Sequence, residues 1–190
     1  MSYQTENGQL FDCMDNKPLS TEFSFTRFLV PALTQWQGVA LFIDSDMLFL
    51  DDVAKLFDEA NPSHAVQVVK HNYAPTQTSK MRAGVVQESY NRKNWSSVML
   101  FNCSHSTCKQ LTPYTVNYTK GSWLHQFKWA PDTTIGSLSP RWNVLDGWDE
   151  PAPDTGNYHY TLGTPDVPGC ESRPFASEWW KYYGEIEKAA

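Results

Sequence analysis

The stretch Val39-Ala40-Leu41-Phe42-Ile43-Asp44-Ser45-Asp46 decides the fold. Its five consecutive apolar residues predict a short strand, and such a run is typical of a strand buried on both faces of a parallel sheet. The run ends in two carboxylates, Asp44 and Asp46, which point to one side because strand side chains alternate. Ligands of open α/β sheets bind beyond the carboxyl ends of strands. The stretch therefore predicts an α/β fold with a ligand site at these two residues.

Strands and helices are predicted to alternate on both sides of this stretch, which favours an α/β class. Two polar segments, 1–20 and 71–93, are expected to be loops, the second as an excursion over the surface. Short helices are expected within 108–135. Apolar runs predict strands at 65–69, 97–101, 142–145 and 158–162, and apolar spacing predicts helices that begin at Ser20 or Thr21, at Val53 and at Ser177.

Length and composition limit the classes of protein that this chain can belong to. The 190 residues suffice for one compact domain, and 41% hydrophobic residues can form its core. The net charge of -6 argues against nucleic acid or an anionic membrane as the main partner. Because no apolar run reaches the roughly 20 residues of a membrane helix, and the first residues do not resemble a signal peptide, we expect a cytoplasmic protein without a transmembrane segment. The cysteines match no zinc spacing and are expected to be reduced, structural thiols: Cys13, Cys103, Cys108 and Cys170.

The two carboxylates after the apolar strand have a functional and a structural interpretation. Asp44 and Asp46 together favour a hard divalent cation such as Mg²⁺ or Mn²⁺, which can neutralise a diphosphate and help it to leave. They could instead cap the next helix, but Asp51 and Asp52 are better placed for that role. Metal binding is the favoured interpretation.

Five motifs occur in a fixed order along the chain: 25–31, the strand with its Asp-x-Asp, 97–102, Arg141-Trp142-Asn143 and 159–163. With these motifs the sequence looks like the glycosyltransferases of the GT-A fold and is most similar to their retaining, galactosyltransferase- and glycogenin-like group (family 8-like). Within that resemblance it is closest to bacterial and phage glycosyltransferase-like proteins that carry an Asn-Trp-Ser-Ser stretch, here 94–97. The similarity covers about 20–183.

The resemblance implies a metal site and a donor substrate. Asp44 and Asp46 would be the metal-binding Asp-x-Asp of the family, and His159 would match the histidine that completes the site. The nitrogen ligand would favour Mn²⁺ over Ca²⁺. The donor would be a nucleotide-diphosphate sugar, with a UDP-sugar expected, and the acceptor a glycan or another molecule.

Four further residues are implied in donor binding. Arg27 would match a basic residue near the sugar and diphosphate, where its planar fork suits phosphate oxygens. Ser45, inside the Asp-x-Asp, and Gly163, four residues after His159, would lie beside the donor. The family's Lys-Pro-Trp after that glycine is absent, since Thr164-Pro165-Asp166 follows. One diphosphate contact is therefore expected from elsewhere, with Lys93 as the candidate.

The catalytic residues are less clearly marked than the metal ligands. Gln126 falls where the retaining group carries an acidic residue followed by Gln that faces the anomeric carbon, and His125 stands where the acid is usual. Asp132 is the candidate acid on the acceptor side. Lys70 and His71 follow the end of a predicted strand and could reach the site, but a solvated turn is favoured for them.

The start of the chain departs from the family. GT-A enzymes begin with a strand-helix-strand unit that holds the nucleotide, and only about twenty polar residues precede the Arg27 segment here. We therefore expect residues 1–190 to form a single truncated GT-A-like domain, with a Rossmann-like mixed sheet flanked by helices. Such a sheet would expose an edge that a homodimer or a partner chain covers.

Three functions remain open from the sequence. The first is a metal-dependent glycosyltransferase that transfers the sugar with retention of configuration. The second is a non-catalytic glycosyltransferase-like binding module, or half of a split enzyme. The third is a phosphohydrolase of the haloacid dehalogenase type, which also begins with an apolar strand and Asp-x-Asp, although Leu48 stands where that pattern has Thr or Val.

Overall fold

The computed structural model describes residues 3–19, 21, 23–72 and 92–189. Its strands are β1 (Tyr3–Glu6), β2 (Gln9–Asp12), β3 (Pro18–Leu19), β4 (Val39–Ile43), β5 (Met47–Phe49), β6 (Val66–Val68), β7 (Val98–Asn102), β8 (Ile135–Ser137), β9 (Val144–Leu145) and β10 (Asn157–His159). Its α-helices are α1 (Val30–Leu33), α2 (Ala54–Phe57), α3 (Pro113–Tyr118), α4 (Gly121–His125) and α5 (Ala176–Ala189), with short 3₁₀ helices between them.

A four-stranded mixed sheet forms the centre of the protein, in the order β4-β7-β6-β8. Strand β7 is antiparallel to both of its neighbours, and β6 is parallel to β8. The side chains of β7 alternate between two cores, with Met99 and Phe101 on one face and Val98 and Leu100 on the other. Helices and loops cover both faces, so the predicted α/β class with a mixed sheet is confirmed.

Strand β4 has the bounds expected from its apolar run, but its place in the sheet differs from the prediction. It is antiparallel to β7 and, among the described strands, pairs with β7 alone, so it lies at the edge of the sheet. Its side chains do reach both cores, Phe42 the first and Leu41 the second. Val39, the first residue of this edge strand, is 47% exposed. The continuous apolar run therefore indicates contact with two cores, but it does not indicate the direction of the neighbouring strand.

A second sheet carries the other half of the candidate site. Its order is β5-β10-β9, with β10 antiparallel to β5 and parallel to β9. The turn 44–46 joins β4 of the central sheet directly to β5 of this one. The two sheets therefore meet at the Asp-x-Asp.

The expectation that 1–20 is loop-like was wrong for most of its length. Strands β1, β2 and β3 form an antiparallel sheet in which Glu6 pairs with Gln9. The two residues between them, Asn7 and Gly8, have positive φ angles of 49° and 80°, as a tight hairpin turn requires. The sheet is attached to the main body by the buried Asp12, whose Oδ2 accepts a hydrogen bond of 2.7 Å from the Gly121 N–H.

The other predicted elements lie close to the observed ones. The strand predicted at 65–69 is one residue shorter at each end, and the one predicted at 97–101 shifts by one residue. The strands predicted at 142–145 and 158–162 are shorter, as β9 and β10, and α5 begins one residue before Ser177. The region after Thr21 forms a 3₁₀ helix at Thr26–Leu29 and then α1, with Pro31 in the first turn, where proline is tolerated. Residue Ser20 and most of the predicted excursion, 73–91, lie outside the described residues.

Two expectations from the composition can be compared with the structure. All four cysteines are free thiols, and Cys103, Cys108 and Cys170 are buried, as expected for structural residues. None of the described helices combines the length and apolar character that a membrane span needs.

Candidate metal centre

The strand register of the second sheet brings His159 to the Asp-x-Asp turn. Met47, the first residue of β5, pairs with His159, the last residue of β10. The next step of the ladder is the hydrogen bond from the Tyr160 N–H to the Asp46 carbonyl, at 2.9 Å. Asp46 and His159 are therefore neighbours across two strands, although they are far apart in the sequence.

Three candidate ligands converge at this point. One ligand atom each from Asp44, Asp46 and His159 lies within 4.8 Å of the others. The His159 Nε2 atom is 3.2 Å from Asp46 Oδ1. The imidazole is buried at 4% exposure, whereas the carboxylates are partly exposed at 23% and 31%. The structure thus brings together all three residues proposed from the sequence to bind a metal, on a surface that a ligand can reach.

These donors fit a hard or borderline divalent cation. Two carboxylates and one imidazole suit Mn²⁺ and Mg²⁺, and three protein ligands leave coordination positions for a substrate. The imidazole is also fixed on the side away from the carboxylates, because its Nδ1 lies 3.1 Å from Oδ1 of the fully buried Asn143. Its Nε2 lies 3.2 Å from Asp46 Oδ1, so these two atoms can bind the same cation.

Arg27 lies on the other side of the carboxylates. Its Nη2 is 2.8 Å from Asp44 Oδ1, and its Nη1 donates a hydrogen bond of 2.8 Å to the Ser96 carbonyl. The guanidinium also stacks over the Phe42 ring, 4.9 Å from its centroid. The 3₁₀ helix Thr26–Leu29 thus places a fixed positive charge beside the candidate metal ligands.

The Asn-Trp-Ser-Ser stretch supports several parts of the site. Asn94 has a left-handed backbone with φ 63° and leads into the 3₁₀ helix Trp95–Ser97. The Asp44 N–H donates to the Ser97 carbonyl at 3.0 Å, which fixes the first ligand against β7. Ser96 contacts Arg27 through its carbonyl and the His125 Nδ1 atom through its hydroxyl, the latter at 2.9 Å.

Comparison with known proteins identifies relatives and the fold. No family model matches the sequence. Protein CDI of Arabidopsis thaliana is 41% identical over 191 residues, which cover 98% of this chain and 70% of that protein. The chain belongs to the family of Protein CDI.

Solved structures with a similar fold are glycosyltransferases. The apo form of GlyE from Streptococcus pneumoniae TIGR4 is 19% identical with a TM-score of 0.55, over 90% of this chain and 45% of that one. An active-site mutant of LgtC is 14% identical with a TM-score of 0.52, over 88% and 70% of the two chains. This member of the CDI family therefore has a glycosyltransferase fold of the GT-A type, and it spans less than half the length of the pneumococcal chain.

Two of the candidate catalytic residues lie on the far side of Arg27. The His125 ring packs against Phe25 and Phe28, with centroid distances of 6.5 and 5.2 Å. Burial, and then the nearby Arg27 charge, lower the pKa of His125 to about 3, so the ring is neutral at neutral pH. The next residue, Gln126, is the C-cap of α4, and its carbonyl accepts a hydrogen bond of 3.0 Å from Arg92.

The third candidate catalytic residue and the donor-binding candidates are spread around the site. Asp132 is exposed and forms an ion pair of 2.6 Å with Arg92. Ser45 is exposed at the tip of the turn, whereas Lys93 is buried at 7% exposure. Gly163 has φ 138°, and a Cβ there would lie 3.0 Å from Cys170 Sγ, so the loop after β10 needs glycine at this position.

His71 and Asn143 lie closer to the site than the sequence indicated. The His71 Nε2 atom is buried without a hydrogen-bond partner in the described structure. Burial lowers the pKa of His71 to about 4, with an opposing effect from Asp149 and a reinforcing one from His159. Asn143 belongs to the Arg-Trp-Asn motif, for which the sequence alone suggested no role. Asn143 could have been identified from its place in the ordered motifs, and His71 from its position after the end of a predicted strand.

Proposed function

We propose that this protein is a metal-dependent glycosyltransferase that uses a nucleotide-diphosphate sugar, a UDP-sugar by preference, with Mn²⁺ or Mg²⁺ as the metal. The convergence of Asp44, Asp46 and His159 at one point is the observation that carries the proposal. The GT-A fold supports it, since one similar structure is a complex of LgtC with donor and acceptor sugar analogues. Resemblance to the retaining group extends the proposal to transfer with retained configuration onto a glycan or another acceptor.

Each residue of the site would have its own role in binding the donor. Asp44, Asp46 and His159 would hold a divalent cation, whose positive charge would stabilise the diphosphate leaving group. Arg27 presents a planar guanidinium on the same side and can bind a phosphate oxygen while it retains its bond to Ser96. Ser45, Lys93 and Gly163 are proposed on the donor side.

The proposed catalytic set lies beyond Arg27. Gln126 would face the anomeric carbon, with the neutral His125 beside it, and Asp132 would serve the acceptor. Arg92 contacts both Gln126 and Asp132, so it connects the two ends of this set.

Calorimetry with metal and nucleotide tests the donor site. The protein is titrated with Mn²⁺ and then with UDP, ADP and GDP, beside an Asp46→Asn variant and an Asp58→Asn control that changes an exposed carboxylate elsewhere. We expect Mn²⁺-dependent binding of UDP that Asp46→Asn abolishes and Asp58→Asn leaves intact. Release of sugar from UDP-sugars then reports activity, and the anomeric configuration of the product by NMR reports retention.

Further assays distinguish the glycosyltransferase from the binding module and from the phosphohydrolase. A binding module or half-enzyme would remain folded and bind a glycan or a partner without releasing sugar from any donor. A phosphohydrolase would cleave a simple phosphate ester such as p-nitrophenyl phosphate and lose that activity in Asp44→Asn. The glycosyltransferase proposal fails if the folded protein binds neither Mn²⁺ nor any nucleotide.

The β4 edge of the central sheet is the surface at which we expect a partner chain to bind. Hydrogen bonds from Asp44 N–H and to the Gly38 carbonyl show that the even-numbered residues of β4 bond to β7. The backbone groups of Val39, Leu41 and Ile43 therefore point away from β7. We expect a second copy or a partner chain to pair with this edge. Light scattering of the purified protein tests the homodimer, and a stably folded monomer would contradict it.

A further inference from the structure

We propose that Asn143 is a positioning residue that fixes the tautomer of His159, so that Nε2 offers its lone pair to the metal. The proposal rests on the metal site of the proposed function and adds a residue to it. Three buried polar groups carry the argument: the Asn143 amide, the Ser97 hydroxyl and the Asn94 carbonyl. Asn143 is 0% exposed, and Ser97 is 3% exposed. Buried polar groups of this kind are expected to be fully hydrogen-bonded.

The direction of each hydrogen bond follows from the first one. The Ser97 Oγ atom lies 2.6 Å from the Asn94 carbonyl oxygen. A carbonyl can only accept, so the Ser97 hydroxyl must donate its proton there. The Ser97 oxygen is then an acceptor for the Asn143 Nδ2–H₂ group, 2.8 Å away. The same Nδ2 also faces the Asn94 carbonyl at 3.4 Å, so the amino side of the Asn143 amide points toward this stretch.

The orientation of the amide determines the state of the imidazole. With Nδ2 on Ser97, the Asn143 Oδ1 atom faces His159 Nδ1 at 3.1 Å. An amide oxygen only accepts, so Nδ1 must carry a proton. Nε2 is then the ring nitrogen that remains for a metal ion, and it lies 3.2 Å from Asp46 Oδ1. Metal-bound histidines are commonly fixed in this way by a partner on the second ring nitrogen.

Strand geometry explains why Asn143 reaches the ring. Asn143 immediately precedes β9, in which Leu145 pairs with His159 in parallel register. Side chains two residues apart share one face of a strand, so Asn143 lies on the same side as Leu145 and His159. Ser97 meanwhile holds Asp44 through its carbonyl. Ser97 therefore connects the backbone of Asp44 with the hydrogen bonds that fix the ring of His159.

The test measures the protonated ring nitrogen of His159 and the affinity for Mn²⁺ separately. Long-range ¹H–¹⁵N NMR of histidine-labelled protein in the presence of diamagnetic Mg²⁺ shows which ring nitrogen carries a proton, and a His159→Gln variant assigns its signals. We expect the Nδ1–H form in the wild type. Asn143→Leu should shift the ring toward the Nε2–H form and weaken Mn²⁺ binding by about 10- to 100-fold. Asn143→Asp, which retains an acceptor for Nδ1–H, should restore both.

Controls make each outcome decisive. Asn157 is also 0% exposed and bonds to the Trp142 carbonyl on the same sheet, so Asn157→Leu should lower stability without changing the tautomer. Ser97→Ala gives a second readout if Asn143→Leu does not fold. A wild-type Nε2–H form, or Asn143→Leu with unchanged tautomer and Mn²⁺ affinity, would overturn the role of Asn143. If the wild type shows the Nδ1–H form but binds no Mn²⁺, the metal site fails and the role of Asn143 in fixing the ring stands.

Discussion

The guanidinium of Arg27 lies 2.8 Å from the carboxylate of Asp44, so a fixed cation already occupies one side of the candidate metal centre. This charge opposes a metal ion at the same carboxylate and attracts an anionic diphosphate. Arg27 therefore has opposite effects on the two components that a metal-dependent glycosyltransferase must bind.

Replacement of Arg27 by Gln should separate these effects. Two unit charges about 4 Å apart in water interact by about 1 kcal/mol, and a unit charge with a divalent ion by about twice that, so Mn²⁺ alone should bind Arg27→Gln about 10- to 30-fold more tightly. Mn²⁺-dependent binding of UDP should weaken by about tenfold or more, because a charge-assisted hydrogen bond to phosphate is lost. Calorimetry with Mn²⁺ and then with UDP measures both effects.

The control for this variant is another arginine in an ion pair. Arg141 forms an ion pair of 2.6 Å with Asp51, away from the three candidate ligands. Arg141→Gln should change neither affinity. If Arg27→Gln weakens Mn²⁺ binding and leaves UDP binding unchanged, then Arg27 serves only to position Asp44.

Metal binding should also stabilise the fold. A ligand that binds only the native state adds about 2.7 kcal/mol at a concentration 100 times its Kd, which raises the Tm of a domain of this size by about 5–10 °C. Mn²⁺ should produce this shift in the wild type, and EDTA should reverse it. In Asp46→Asn the Tm should not respond to Mn²⁺, whereas a shift of wild-type size in that variant would place the bound metal elsewhere.

The sequence predicted the central strand and the candidate ligands better than it predicted their surroundings. The apolar run 39–43 and the following carboxylates gave the bounds of β4, and the order of the motifs suggested His159. Neither signal reveals that β4 is an antiparallel edge strand, because burial on two faces is the same for either direction. The hairpin at Asn7-Gly8 carried a turn signal, but the polar residues around it suggested a loop.

The contacts of Asn143 depend on tertiary structure that no local pattern encodes. One partner, Ser97, ends the 3₁₀ helix that precedes β7 of the central sheet, and the other, His159, lies in β10 of the second sheet. The same holds for His125, whose position beside Phe25 and Phe28 results from packing rather than from helical spacing. Local sequence thus indicates which groups can bind a metal, and the strand register determines which of them meet.

The stability of the protein should fall in acid because of His125. The pKa of this ring is about 3 in the folded protein and about 6.5 in an unfolded chain. Between these values the unfolded state binds more protons, so stability is lost as the pH falls through 6.5. The cost from this one residue is about 2 kcal/mol between pH 8 and pH 5.

Urea denaturation at several pH values measures this effect. His125→Asn retains a polar group that can bond to Ser96 but does not titrate. Its free energy of unfolding should depend less on pH than that of the wild type, by about 2 kcal/mol over the same interval. Identical pH profiles for the two proteins would mean that the pKa of the ring is the same in the folded and the unfolded state.

The left-handed backbone of Asn94 gives the last prediction. Its φ of 63° is unfavourable for most side chains and is accessible to Asn and Gly. Asn94→Gly should therefore fold with nearly unchanged stability, whereas Asn94→Val should lose about 1–2 kcal/mol. Urea denaturation of the two variants measures the difference.

This backbone conformation also directs the Asn94 carbonyl toward Ser97 and Asn143. Asn94→Val should consequently bind Mn²⁺ less tightly than Asn94→Gly, because a displaced carbonyl no longer orients the Ser97 hydroxyl. The side chain of Asn94 takes no part in this series of hydrogen bonds, so wild-type affinity is expected in Asn94→Gly. A loss of Mn²⁺ binding in Asn94→Gly equal to that in Asn94→Val would show that the side chain, rather than the backbone, supports the metal centre.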